Sequence, residues 1–263
     1  MENNKKRIFL GIVIAFFVAL VGLVSYVEVE SSSVVPVLMY HSIHANTKAT
    51  SLYVSPEVFA SQMEFLARNH YNVVGPDKMI AYMLKEEKMP PKTVAVTVDD
   101  GFYNFYKYAY PVLKKYNLKA TIFVITGEIG KPGRLGWKEL REMSDSGLVI
   151  VGSHTKSHPW LPQVSVEENK LNEELVLSKR ILEKGLGRKV DYICYPNGGF
   201  NDVVKEAAKS AGYKCGFTTN PAKRSDINDI YAIRRLKMSS SSRNPLILWA
   251  KISRYYAWFK ERR

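Results

Sequence analysis

The sequence predicts an α/β protein built from parallel βαβ units. Two observations carry the prediction. From Val34 to Thr218, apolar runs of four to seven residues alternate with amphipathic segments of nine to seventeen. The chain has 263 residues, 46% of them hydrophobic and 24% charged, enough for one large domain of this kind or two small ones. About seven such units suit a barrel or a large doubly wound sheet.

In chain order, Val34-Val35-Pro36-Val37-Leu38-Met39-Tyr40 reads as a buried strand with proline near its start. Ser55-Pro56-Glu57 opens a helix: serine caps, proline takes the first helical position, and Val58, Phe59, Met63, Phe65 and Leu66 supply apolar surface. Residues 71–74 are a strand and 76–87 a helix. The strand Val94–Val98 precedes a helix through Tyr110–Tyr116 that Pro111 kinks or restarts. Strands at 120–125, 149–151, 192–195 and 214–218 then alternate with helices at 137–146, 167–183 and 202–211. A final segment, 245–259, spaces Leu248, Ile252, Tyr255, Tyr256 and Phe259 as one helical face. That face either docks on the domain or lies on a membrane.

The amino terminus stands apart. After Lys5-Lys6-Arg7, the uncharged run from Ile8 to Val27 would span about 30 Å as a helix, roughly one hydrocarbon thickness. The basic flank places the amino terminus inside and the domain outside. A cleaved signal peptide is the competing reading, though it would need a shorter apolar core and a small-x-small cleavage site. The expected organisation is therefore a cytoplasmic stub and transmembrane anchor (1–27), a polar linker (28–33), a folded α/β domain (34–240) and a basic amphipathic C-terminal helix (241–263). The expected location is the cell membrane, with the domain extracellular.

Net charge is +13, and eleven Lys or Arg against three acids fall between Lys223 and Arg263. That tail suits contact with an anionic surface such as phospholipid headgroups or acidic wall polymers. No nucleic-acid motif is present. Two cysteines, Cys194 and Cys215, are too few for a disulfide framework; both fall in strands near the end of the domain, as buried unpaired thiols or, alternatively, as one bridge.

Chemistry concentrates in two motifs. Thr97-Val98-Asp99-Asp100-Gly101 puts adjacent carboxylates at a strand end, where neighbouring side chains point to opposite faces and can take different roles. His154-Thr155-Lys156-Ser157-His158 puts two imidazoles at i and i+4, which one helical turn would bring to a single face. Together they offer one carboxylate and two histidines to zinc or another divalent transition metal, with a second carboxylate left to handle a proton.

Thr97-Val98-Asp99-Asp100-Gly101 resembles the first motif of the polysaccharide deacetylases (carbohydrate esterase family 4, the NodB-homology domain). His154-Thr155-Lys156-Ser157-His158 resembles the second, and the resemblance spans roughly Val34 to Met238. It implies a deformed (β/α)7 barrel and removal of N-acetyl groups from a glycan. Position by position, it makes Asp99 the general base and Asp100, His154 and His158 the metal ligands. The third motif reads Cys194-Tyr195-Pro196-Asn197-Gly198, with Asn197 offering a backbone N–H to the oxyanion. Its usual arginine is replaced by Cys194, and Arg235 is the candidate to orient Asp99 instead. No histidine follows His158, so the usual acid is absent. Tyr40-His41 resembles the branch acting on poly-β-1,6-N-acetylglucosamine, which makes His41 the general acid. Tyr103, Trp137 and Trp160 lie near the motifs and can stack on sugar rings or pack internally.

The expected function is metal-dependent N-deacetylation of an extracellular N-acetylglucosamine polymer. The alternatives are a peptidoglycan or chito-oligosaccharide N-deacetylase, and a glycan-binding pseudoenzyme.

Overall fold

The structure, a computed structural model, describes residues 2–31, 34–44, 53–219 and 229–261. Helix α1 (Glu2–Ser31) runs through the predicted anchor and into the expected linker, and its apolar side chains from Leu10 to Leu23 are exposed. Among the described residues, no helix is long and apolar enough to cross a membrane. The transmembrane anchor expected for 1–27 is therefore not found as such.

Strand β1 (Val37–Tyr40) is buried throughout. Helix α2 (Pro56–Arg68) starts as predicted, with Ser55 Oγ accepting from Val58 N at 3.3 Å. Its inner face buries Val58, Phe59, Met63 and Leu66. Gln62 is buried among them. It accepts from Tyr40 Oη at 2.7 Å and donates to the Ser242 carbonyl at 3.1 Å, tying the first strand to the C-terminal segment.

Strand β2 (Asn72–Val74) leads into α3 (Pro76–Met83), which stops four residues short of the predicted end, where Lys85 adopts φ 59°. Strand β3 (Thr93–Val98) is wholly buried. A π turn, Phe105–Ala109, precedes α4 (Tyr110–Tyr116), so Pro111 restarts the helix without breaking an α-helical bond. Next come β4 (Ala120–Val124), α5 (Trp137–Asp145) and β5 (Val149–Ser153).

Helix α6 covers 168–186. It comprises Glu168–Asn172, a π turn Glu173–Leu177, and Ser178–Leu186. Strand β6 (Tyr192–Cys194), α7 (Asp202–Ser210, capped by Asn201), β7 (Cys215–Phe217) and β8 (Leu236–Lys237) complete the sheet and its crossovers.

The sheet is parallel throughout, in the order β8-β1-β3-β4-β5-β6-β7, with β2 beside the first half of β3. Beyond β7, Ile233 pairs in parallel with Phe217, so the chain entering β8 bridges from one end of the sheet towards the other. The deformed barrel expected from the resemblance thus takes the form of a parallel-stranded (β/α) half-barrel. Parallel strands carried by helical crossovers leave all their carboxyl ends on one rim, and that rim carries the site.

The C-terminal segment forms two helices, α8 (Pro245–Lys251) and α9 (Arg254–Glu261), instead of one. Leu248, Ile252 and Ala257 are buried in the main core. Part of the apolar face at 245–259, including Leu248 and Ile252, is therefore spent on docking and is closed to a membrane. Both cysteines are buried free thiols. Of the basic tail, Lys223, Arg224, Arg262 and Arg263 lie outside the described residues.

Candidate active site

Four strand ends and the approach to β8 deliver the chemistry to a cleft of about 800 Å³. Among the residues lining it are His41 after β1, Asp99 and Asp100 after β3, His154 and His158 after β5, Asn197 after β6, and Arg235 before β8.

Asp99 continues the strand ladder, its N–H donating to the Tyr40 carbonyl at 3.0 Å. The chain then turns through two left-handed residues, Asp100 (φ 74°) and Gly101 (φ 67°). A non-glycine residue in that region stores strain, which persists where the surroundings hold it. Here Arg134 holds it: its Nη1 donates to the Asp100 carbonyl at 2.8 Å while its guanidinium lies 4.1 Å over the Phe102 ring. The turn is what separates the two carboxylates into different roles.

Asp99 is buried and bound bidentately by Arg235, Nη1 to Oδ1 at 2.6 Å and Nη2 to Oδ2 at 2.7 Å. Arg235 is itself fixed by the Thr218 carbonyl (3.0 Å), Thr97 Oγ1 (3.2 Å) and Cys194 Sγ (3.0 Å). Burial pushes the Asp99 carboxyl upwards, but the charge and hydrogen bonds of Arg235 outweigh it and hold the group well below the usual carboxylate range. Asp99 is therefore ionised at neutral pH. His41 Nε2 lies 3.7 Å from Asp99 Oδ2, and burial lowers its pKa against the opposing pull of Asp99.

Asp100 Oδ1 lies 3.6 Å from His154 Nε2 and 3.8 Å from His158 Nε2, and the three donor atoms form one group able to hold a metal ion. Ligands bonded at about 2.1 Å to one cation sit roughly 3–3.5 Å apart, so this set needs only a small contraction to close on an ion. His154 Nδ1 faces the Cys194 carbonyl at 2.8 Å, which assigns the proton to Nδ1 and leaves the Nε2 lone pair towards Asp100. Burial lowers the His154 pKa to about 4 and also lowers that of His158. Both rings are thus held neutral, the form a metal requires. The chemistry of the donor set fits a divalent cation.

The two histidines do not share a helical turn. Residues 154–158 form a loop with Thr155 (φ 67°) and His158 (φ 62°) both left-handed, and the rings meet edge to face at 4.8 Å. The i, i+4 spacing brought the rings together through a different backbone from the one predicted.

None of the three proposed sugar-stacking aromatics lines the cleft. Tyr103 is exposed and leans on Tyr106; Trp137 is half-buried against Gly185; Trp160 packs over Gly199. Among the described residues, Tyr256 from α9 is the aromatic side chain other than histidine that lines the cleft, accompanied by Lys251 from α8 and Lys237 from β8. The sequence carried a signal for it, since Tyr256 belongs to the C-terminal apolar spacing, but not its direction. Tyr256→Ala is expected to raise KM about 2–12-fold with kcat nearly unchanged, the loss of one stacking contact, measured by initial rates on an N-acetylglucosamine oligomer.

The arginine missing from the third motif made a pseudoenzyme reading available. Arg235 supplies the cation on Asp99 that the third motif lacks.

Comparison with known proteins agrees with this geometry. The family model described as "Polysaccharide deacetylase" matches residues 86–216. The Bacillus subtilis protein YxkH, whose name describes a polysaccharide deacetylase, is 34% identical over 82% of this chain and 75% of its own length. The poly-beta-1,6-N-acetyl-D-glucosamine N-deacetylase of Staphylococcus aureus is 31% identical over 74% of this chain and 70% of its own. Among solved structures, the Streptococcus pyogenes deacetylase PplD in complex with acetate superposes with TM-score 0.76 at 32% identity, covering 83% of this chain and 98% of that one. With its strand-end carboxylates, paired histidines and parallel half-barrel all in place, the chain belongs to the polysaccharide deacetylase family and is a polysaccharide N-deacetylase.

Proposed function

We propose that the enzyme removes N-acetyl groups from an extracellular poly-β-1,6-N-acetylglucosamine-type polymer in a metal-dependent reaction. The observation that carries this reading is the Arg235-clamped Asp99 beside the Asp100–His154–His158 group, all in one cleft. The similarity to the Staphylococcus aureus enzyme supports the choice of polymer.

Asp100, His154 and His158 would hold the cation, zinc being the natural candidate for a His₂-carboxylate set. Such an ion supplies Lewis-acid polarisation of the acetyl carbonyl and lowers the pKa of water towards about 7. Asp99, ionised and fixed by Arg235, accepts the proton from the attacking water. Asn197, lining the same cleft after β6, presents its backbone N–H to the oxyanion. His41, on the Asp99 side of the cleft, would give a proton to the departing amine from its protonated form, which the Asp99 charge favours and burial opposes. In this scheme the acid and base sit 3.7 Å apart at Nε2 and Oδ2, close enough to serve one reacting carbon.

Acetate release and product analysis test the reading. Purified enzyme with added zinc should free acetate from poly-β-1,6-N-acetylglucosamine, and Asp99→Asn should abolish release. Activity confined to peptidoglycan or chito-oligosaccharides would reassign the polymer, and no release with any divalent cation would end the metal-dependent reading. His41→Ala should keep the metal and lower kcat about 10²–10⁴-fold, the usual range for losing a general acid. An unchanged kcat removes His41 from the role.

We place the domain at the outer face of the cell membrane, with the basic C-terminal segment towards anionic headgroups or wall polymer. Support comes from the basic flank Lys5-Lys6-Arg7 and from the exposed apolar side chains of α1. Protease shaving of intact cells should degrade the domain; full protection would overturn the placement.

A further inference from the structure

The loop that carries the two histidines is built against its own local preference. Thr155 is β-branched and left-handed, and His158 is left-handed just before Pro159. Such a backbone holds only where neighbours over-determine it.

The neighbour is α6. Glu174 is buried within the π turn and aims its carboxylate into the loop. Oε2 accepts from both Lys156 N and Ser157 N at 2.8 Å, and Oε1 accepts from Ser157 Oγ at 2.5 Å. One turn further along, Ser178 Oγ lies 2.9 Å from Ser153 Oγ, which in turn accepts from Thr155 N at 3.1 Å. Thr155 Oγ1 accepts from His158 N at 3.1 Å, closing the loop on itself. From the far side, Gly127 N donates to the Lys156 carbonyl at 2.8 Å, and a Cβ at Gly127 would stand 2.7 Å from that oxygen.

The π turn has a role in this arrangement. A π turn adds a residue to the helix and rotates the residues beyond it, and such turns are frequent at functional sites. Here Glu174 lies within the turn and Ser178 begins the α-helical segment after it, and both face the loop between β5 and Pro159.

We infer that Glu174 is a positioning residue for the metal ligands. By fixing three donors of Lys156 and Ser157 on one carboxylate, it sets the separation of His154 and His158, and so the affinity of the site for a divalent cation. The inference rests on the reading of Asp100, His154 and His158 as ligands. Partners in this outer position commonly cost 10–100-fold in metal affinity when lost.

The experiment is zinc affinity by competition with a chromophoric chelator, on full-length wild type, Glu174→Gln and Ser157→Ala, with circular dichroism melts alongside. Glu174→Gln keeps the shape but replaces the charge-assisted hydrogen bonds from Lys156 N and Ser157 N by weaker neutral ones, so it should weaken zinc binding, by about 10-fold. Ser157→Ala removes only the hydroxyl that donates to Glu174 Oε1 and should weaken binding less, with the fold intact. At saturating zinc both variants should recover most of the wild-type kcat, because Asp99 and His41 are untouched; a role in folding alone would not produce that split. Wild-type affinity in both variants overturns the inference. Wild type that binds no zinc, nickel or cobalt instead overturns the ligand reading beneath it. If Glu174→Gln does not fold, unchanged affinity in Ser157→Ala is the overturning result.

Discussion

Replacing Arg235 by methionine is expected to abolish deacetylation and to lower stability by about 3–5 kcal/mol, the cost of leaving one partner of a buried ion pair uncompensated. The size reflects where the pair sits. Arg235 and Asp99 are both essentially inaccessible, and the carboxylate has both oxygens on the guanidinium. Without the arginine, burial is the dominant influence left on Asp99, and it raises the pKa.

The pH dependence of stability should then reverse. In the wild type Asp99 is held below its unfolded value, so the pair contributes fully above about pH 3.9 and its contribution fades as pH falls towards the folded value. In Arg235→Met the folded value lies above the unfolded one, so stability is greatest in acid and is lost as pH rises through that raised value. Urea midpoints at pH 5 and pH 8 measure this, with the variant gaining stability at pH 5 relative to pH 8. The double variant Asp99→Asn with Arg235→Met removes both charges and should regain part of the lost stability while remaining inactive. Equal losses in the single and double variants would mean that the pair acts through packing and not through charge.

Much of this arrangement is legible in the chain, and the limits have physical causes. The central strands could be read because they are buried on both faces, so Thr93–Val98 and Ala120–Val124 appear as runs of apolar residues and threonine. The Asp99-Asp100 pair could be read because a strand end followed by glycine forces a turn. Arg235 could be singled out because the family's third motif carries an arginine and this chain has Cys194 there. The left-handed residues Thr155 and His158 could not, since i, i+4 spacing is equally compatible with a helical turn and local propensity argues against what the loop does. Tertiary contacts from Glu174 override that propensity. The aromatic lining failed for a related reason. Nearness in sequence to a motif says little about which way a ring points, and the cleft takes Tyr256 from a helix about a hundred residues after His158. Helical spacing likewise shows that Leu248 and Ile252 share a face, but not that a core waits to receive them.

Asp100→Ala and His154→Ala should each remove the metal and, with it, at least about 10³-fold of the rate, as measured by metal content after dialysis and by acetate release. Chelator treatment of the wild type should give the same loss, and added divalent cation should restore the wild type alone. The two variants differ in what else they disturb. Asp100 is partly exposed, and its carboxyl is pushed up by burial and by the Asp99 charge, so the alanine relieves a like-charge contact and should cost little stability. His154 is buried and bonded to the Cys194 carbonyl, so its alanine leaves a cavity and an orphaned acceptor behind β6 and should cost about 2–4 kcal/mol. A His154→Gln variant can keep a donor near that carbonyl without supplying a good metal ligand. It should therefore separate the two effects, with stability nearer the wild type and activity as low as in the alanine. Retained metal in Asp100→Ala, or activity in any of the three after dialysis, would mean that the catalytic cation sits elsewhere than among Asp100, His154 and His158.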